Sequence, residues 1–366
     1  MVKNQLVIAA ISSRIYVQAA VEAGYEVIAL DAFADVDTQV LAIQSFQLPL
    51  KDDQFDSTAL LALLQKLDLS QCLGFCYGAG FEAQPHLLAQ IHHLIPIIGN
   101  SAIAVKQSKS PNAFFSLCDH LKMNYPNTQF ERPNNTIKWL KKTVGGSGGA
   151  HIKPLLPLLS QMDLPTRSNH YYQKIQAGTP FSCLFLADRL HTQVIGFNEQ
   201  WCAPTLLLPY RYAGAVSNAM LDESVKIKIE DFIQNAVKEL GLIGLNSCDF
   251  IVENDSVFML EINPRLSATL DLYRAKKGYL FAAHVEACWG QLNFWPSVEK
   301  KSRAHHVVYT KIHAHVPADM GWPEWVSDVP QPYSTIPAGA PLCTVNADAL
   351  TPNLAKKKVL QRVADL

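Results

Sequence analysis

The chain of 366 residues is long enough for two or three packed units, since single cores seldom grow past about 250–300 residues. With 49% hydrophobic and 17% charged residues it has the make-up of a globular protein rather than a disordered one. A net charge of −1 gives no overall field to draw in nucleic acid or an anionic membrane, and no apolar run approaches the roughly 20 residues of a membrane span.

The opening run QLVIAAI (5–11) reads as a continuous apolar strand, and Ser12, Ser13 and Arg14 break it too early for a signal peptide. YVQAAVEAG (16–24) reads as a helix stopped by Gly24, and YEVIALD (25–31) as a second strand. TALLALLQKLDL, CLGFCYG and HLLAQIHHLI repeat the rhythm as helix, strand and helix. Alternation of this kind predicts α/β architecture with a parallel, doubly wound sheet. The turn after the first strand is Ser12-Ser13-Arg14 and not G-x-G-x-x-G, which removes the main support for a nicotinamide site.

SKSPNAFFSLCDHL (108–121) opens a helix, with Ser110 as cap and Pro111 at the first helical position. From about Asn124 to Leu208 the pattern becomes strand-rich with glycine turns. ESVKIKIEDFIQNAVKELG (223–241) is an amphipathic helix whose stripe is Val225, Ile229, Phe232, Ile233, Ala236 and Leu240. The last 60 or so residues are β-like and proline-rich, then close in a basic helix, NLAKKKVLQRVADL. The eight cysteines are scattered singly with no C-x-x-C pair, as expected of reduced core thiols in a cytoplasmic protein. His305 and His306 are adjacent in a strand-like run and should face opposite ways, which does not suit a metal pair.

The chemistry concentrates in CDFIVENDSVFMLEINPR (248–265), two apolar strands around Asn254, Asp255 and Ser256. A three-residue loop would set Asp249 opposite Glu261. Period two then puts Asp249, Glu261 and Asn263 on one face, with Phe250, Phe258, Leu260 and Ile262 in the core. Opposed carboxylates repel, so a positive charge should sit between them. Two carboxylates and an amide oxygen are hard ligands suited to Mg²⁺ or Mn²⁺ with phosphate oxygens completing the shell, and Arg265 could fork onto a phosphate. Upstream, IKWLKKTVGGSGGAHI (137–152) leads a lysine-bearing strand into a glycine turn able to curl backbone N–H groups around phosphate oxygens. It is not a P-loop, because no G-K-[ST] follows. HYYQKIQAGTPFSCLFLAD (170–188) supplies a strand, a glycine turn and a second strand.

In this order and spacing the chain resembles the ATP-grasp superfamily, and within it the ATP-dependent carboligases related to biotin carboxylase. The likeness rests most on Asp249 and Glu261, twelve apart, followed by Asn263 and Arg265. It implies a pre-ATP-grasp, half-Rossmann domain over 1–105 and an ATP-grasp domain over 106–300, with a lid subdomain at about 124–190. A small β-rich C-terminal segment over 301–366 would carry the terminal helix. It also implies a magnesium- and ATP-dependent ligase that activates a small-molecule carboxylate as an acyl phosphate for capture by an amine. An ATP-binding regulatory module and a bicarbonate-using carboxylase are the alternatives.

By the same resemblance, Asp249, Glu261 and Asn263 would hold the metal, and the catalytic pair would be Arg265, binding phosphate, and Lys142, contacting the α- and β-phosphates. Lys109 would also reach phosphate, and Gly146, Ser147, Gly148 and Gly149 would form the mobile lid. Gln173 and Lys174 would flank adenine, with the backbone at Ile175 reading its edge. Thr143 stands where a proline is usual, which leaves Lys141 a rival to Lys142. Pro180 replaces a ribose-binding acid, leaving Gln176 to take that contact. Glu82, Arg211, Arg274, Ser12 and Arg14 are candidates for holding the substrates. The expected partners are small carboxylates and amines, with a homodimer left open and neither nucleic acid nor membrane involved.

Overall fold

A computed structural model describes residues 3–51, 54–155, 169–293 and 301–366, without the side chains of 274–277. The N-terminal strands Gln5–Ala10, Glu26–Asp31, Gln44–Gln47 and Cys72–Tyr77 form a parallel sheet in which Gln5–Ala10 is central. Its continuous apolar runs are explained by burial on both faces. Val7 and Ala9 pack with Leu60, Leu64, Leu87 and Ile91 on one side. Leu6, Ile8 and Ala10 pack on the other with Val17, Ala20 and Phe281. That second layer also takes in Leu184, Leu186 and Leu245, so the N-terminal unit shares a core with the rest of the molecule.

A small antiparallel sheet follows, in the order Thr128–Gln129, His170–Lys174, Trp139–Thr143, Ile152–Pro154. Its own core among the described residues is Trp139, Leu155 and Tyr172. So few buried apolar contacts put this element at the low-stability end of the molecule.

The largest sheet has eight strands, all of its pairings antiparallel. Their order is Ser256–Asn263, Ile243–Glu253, Thr179–Asp188, Thr192–Cys202, Tyr212–Ser217, Ser302–Tyr309, Pro341–Ala349, Val326–Ser327. Helix Glu223–Leu240 lays its stripe of Val225, Ile229, Phe232, Ile233 and Ala236 on this sheet. Each such side chain contributes about 1.5–3 kcal/mol on burial. The helix ends at Gly241, whose left-handed φ of 65° closes its last turn. Beyond residue 301 the chain adds strands to the same sheet, and helix Pro352–Asp365 covers them through Ala355 and Val359.

Candidate functional site

The acid-bearing hairpin shows how the sequence builds the site. Its turn is two residues long and not three: Asn254 and Asp255 take φ of 47° and 64°, and Glu253 pairs with Ser256. Phe250 then lies opposite Met259, yet Asp249 still lies opposite Glu261, because a bulge at Leu260 adds one residue. Val257 and Met259 face the core, and in an unbroken strand Glu261 would follow them there. The bulge swings the carboxylate to the opposite face and returns Ile262 to the core. Phe258 and Leu260, expected in the core, are half-buried instead.

The positive charge that this face requires is Lys109, at the end of helix Ala102–Lys109. Its Nζ lies 2.6 Å from Glu261 Oε2 and 2.6 Å from Asn263 Oδ1. Asn263 Nδ2 donates to Asp249 Oδ2 at 2.9 Å, and Gln200 Nε2 donates to Asp249 Oδ1 at 3.1 Å. Burial, and then the facing Glu261 carboxylate, push the Asp249 carboxyl up. Burial opposes ionisation of Glu261 as well, but the Lys109 ammonium outweighs it and holds that group below the usual carboxylate range. Among the described residues no three His, Cys, Asp or Glu side chains converge as a self-sufficient metal cage. Two carboxylates and an amide fit a divalent ion whose shell is completed by phosphate oxygens.

Lys142 and Lys141 point to opposite faces of strand Trp139–Thr143. Lys142 is buried; its Nζ donates to Gln173 Oε1 at 2.7 Å, and Gln173 Nε2 donates to Thr128 Oγ1 at 3.1 Å. Burial pushes the Lys142 ammonium down to about 8, against the pull of Glu261 and Asp249. Lys141 is half-buried on the other face. Lys174 is exposed, and Ile175 is exposed with its N–H already given to Lys138 O at 2.7 Å. Gln176 Nε2 donates to Glu253 Oε2 at 2.6 Å, beside the strand that begins at Thr179 and carries Pro180.

The glycine loop lies over this cluster. Gly148 and Gly149 take φ of 62° and 77°, and Gly148 O accepts from Tyr212 N at 3.0 Å. A Cβ on Gly149 would fall 1.9 Å from Tyr210 O, so only glycine permits the approach. Gly146 and Ser147 complete the turn, and His151 folds back so that its Nδ1 is 3.4 Å from Ser147 O. Burial pushes the His151 imidazole down, within electrostatic reach of Glu261 and Lys142.

Arg265 stays within electrostatic reach of Asp249 and Glu261. The strand ends at Asn263, and Arg265 Nε turns to Glu82 Oε1 at 2.9 Å. Glu82 is itself held by the N–H groups of Gly80 and Phe81, at 2.8 and 3.0 Å. Glu82 therefore orients an arginine rather than standing open to a substrate. Arg14 is likewise taken, by Asp271 and Asp328 at 2.9 Å each. Ser12 is half-buried beside Ser13, whose N–H and hydroxyl bond Asp31 at 2.6 and 2.7 Å. Arg211 stacks 3.7 Å from the centre of the Tyr309 ring, and the Arg274 side chain lies outside the described residues. His305 and His306 do face opposite ways, one to Tyr212 and the other to Trp201.

Gln200, His151 and Glu82's link to Arg265 escaped the sequence reading of the corner. Gln200 has no local signal, because a single glutamine in a strand gains its role from a partner 49 residues away. His151 was legible only as the polar residue that follows the glycines.

Comparison with known proteins bears on this arrangement. Residues 113–269 match the model of the ATP-grasp domain. An uncharacterised protein of Methanocaldococcus jannaschii is 21% identical over 312 residues, covering 81% of this chain and 74% of the relative. The fold is similar to Rhizobium etli pyruvate carboxylase, with a TM-score of 0.75 and 15% identity over 98% of this chain. The chain spans 37% of that enzyme's length. It is also similar to an L-amino acid ligase from Bacillus licheniformis, with a TM-score of 0.73 and 13% identity, covering 100% of this chain and 98% of the ligase. Among the described residues no helix is long and apolar enough to cross a membrane.

Proposed function

We propose that the chain, whose residues 113–269 match the ATP-grasp domain, is an ATP-grasp ligase joining a small carboxylate to an amine at the expense of ATP. One observation carries the reading. Two facing acids, an amide and the lysines Lys109 and Lys142 meet at one corner under a glycine loop.

In this reading a substrate carboxylate oxygen attacks the γ-phosphorus and ADP leaves. The amine nitrogen then attacks the acyl carbon, phosphate departs and the nitrogen gives up a proton. Asp249, Glu261 and Asn263 would hold a divalent ion, which when bound neutralises charge on the phosphates. Lys142 supplies a second cation, already oriented by Gln173, and Arg265 a third, oriented by Glu82. Their work is alignment and charge neutralisation, which is most of what phosphoryl transfer asks of a protein. Adenine would lie along Gln173, Lys174 and Ile175, with the carbonyl of Ile175 left for its edge because the N–H is spent. The loop of Gly146, Ser147, Gly148 and Gly149 would keep water from the acyl phosphate.

The test is to supply carboxylates and amines in pairs and measure ADP release. Substrate-dependent ADP, lost in Glu261→Gln, supports the ligase. Nucleotide binding with no stimulated turnover across a broad panel would leave a regulatory module instead, and turnover driven by bicarbonate alone would mark a carboxylase.

A further inference from the structure

Joining an amine to an acyl phosphate releases a proton from the nitrogen, and the groups already placed at the acid corner are poorly suited to accept it. Lys109, Lys142 and Arg265 are cations that donate, to Glu261 and Asn263, to Gln173 and to Glu82. Asp249 accepts from Asn263 and Gln200, and its oxygens and those of Glu261 are the ones that would hold a divalent ion. His151 is left.

This histidine follows the glycine loop and packs directly on it. A Cβ on Gly146 would overlap the ring and fall 2.7 Å from Nδ1, so the missing side chain lets the backbone rest on the imidazole. Nδ1 lies 3.4 Å from Ser147 O. A carbonyl oxygen only accepts, so Nδ1 carries the hydrogen, and in the neutral ring Nε2 carries the lone pair. Nε2 has no hydrogen-bond partner among the described residues, and it is not one of the polar atoms sealed from solvent. With the Nδ1 edge against the loop, the Nε2 edge faces away from it. Three charged groups on three elements lie within electrostatic reach of the ring: Glu261 on strand Ser256–Asn263, Lys142 on strand Trp139–Thr143 and Lys109 at the end of helix Ala102–Lys109. Burial outweighs them and pushes the imidazole below its ordinary value, so the ring is neutral at pH 7.

We propose that His151 is the general base of the second step, its Nε2 taking the proton that the amine loses as it bonds to the acyl carbon. The nitrogen's electron pair forms the C–N bond. The C–O bond to phosphate breaks with its pair leaving on phosphate, and the N–H proton passes to Nε2. The Ser147 carbonyl, already bonded to Nδ1–H, and the Glu261 carboxylate offset the charge of the imidazolium that results. Because the base is carried next to the loop that covers the site, an open loop would take it away, which ties amine attack to closure. This role rests on the ligase reading. The competing reading is that His151 only braces the glycine turn.

His151→Asn separates the two, since an asparagine amide can still donate to Ser147 O but brings no basic nitrogen to the far edge. The full chain is given ATP, magnesium and the carboxylates of the panel, once with the amines and once with hydroxylamine. Hydroxylamine is uncharged at neutral pH and traps an acyl phosphate as hydroxamate with little need of a base. General-base catalysis contributes about 10²–10⁴-fold, so amide formation in single turnovers should slow about 100-fold or more in His151→Asn. Hydroxamate formation, ADP affinity by equilibrium titration and the melting temperature should stay near those of the wild type. Equal losses of amide and hydroxamate would reduce His151 to a brace, and amide formation at the wild-type rate would show that it is not the base; either result overturns the proposal. If instead the wild type released no ADP and formed no hydroxamate with any carboxylate, the ligase reading itself would fall, and this role with it.

Discussion

Replacing Lys109 by methionine tests the electrostatic core of the acid corner. The lysine side chain is 6% exposed and bridges Glu261 and Asn263 at 2.6 Å each, while the Glu261 side chain keeps 34% of its exposure. Breaking a fully buried pair costs about 3–5 kcal/mol, and water reaching Glu261 lowers that to about 2 kcal/mol. In metal-free buffer Lys109→Met should therefore melt below the wild type, by about 4–8 °C if scaled from domains of 150–250 residues. Magnesium should reverse the loss, since a dication can stand where the ammonium stood, and a ligand at about 100 times its Kd contributes about 2.7 kcal/mol. In the wild type the ammonium competes for the same oxygens, so magnesium without nucleotide should raise the melting temperature less. Thermal melts of both proteins with chelator and with magnesium measure this. If Lys109→Met melts with the wild type in chelator, or ignores magnesium, Lys109 is not the counter-ion and the oxygens are not a metal site.

Lys142→Ala should weaken nucleotide binding by about tenfold or more while Lys141→Ala leaves it nearly unchanged, as read by equilibrium titration with ADP. Because the Lys142 ammonium persists only to about 8, nucleotide affinity of the wild type should fall as the pH rises through that value. Gly149→Ala forces a Cβ toward Tyr210 O and an L-residue into φ of 77°, a cost of about 1–2 kcal/mol. It should open the loop, seen as faster proteolysis between 143 and 152 and lower turnover with little change in melting. His284 is buried, with Nδ1 accepting from Leu245 N at 2.9 Å and Nε2 3.2 Å from Ile98 O, and burial pushes it down from 6.5 to about 4. The folded state thus resists a proton that the unfolded state takes. His284 should leave stability level above 6.5 and take away about 2 kcal/mol at about pH 5 in urea titrations. In His284→Leu the fall across that range should be smaller by that amount, with the remainder carried in part by His305, which burial also pushes down to about 4; an unchanged profile would refute the assignment.

The parallel N-terminal sheet was legible because burial on both faces leaves unbroken apolar runs. The acid corner was legible because Glu261 and Asn263 keep a period of two at a strand end and Asp249 lies across the hairpin from them. The bulge was not, since residues 257–260 are all apolar and any of them could face the core. The two errors of register, a three-residue turn and an unbroken strand, offset each other, so the facing of Asp249 and Glu261 was expected for an incomplete reason. Lys109 was expected at phosphate; its bond to Glu261, 152 residues away, depends on how a helix docks on a distant strand. Arg265 shows the same limit, since nothing in the local spacing says that Glu82, 183 residues away, holds its guanidinium. Alternation said that Lys141 and Lys142 diverge but could not say which one turns inward.

The continuation of the large sheet beyond residue 301 has a practical consequence for anyone dissecting the protein. Strand Tyr212–Ser217 is an interior strand because Ser302–Tyr309 lies along it, and Val216 is covered by the helix that ends the chain. Cutting the chain at 300 would bare a row of ladder amides and a greasy patch together, the combination that invites edge-to-edge association between copies. Such a truncation should come out of cells as aggregate, whereas co-expression with the missing piece should recover soluble material.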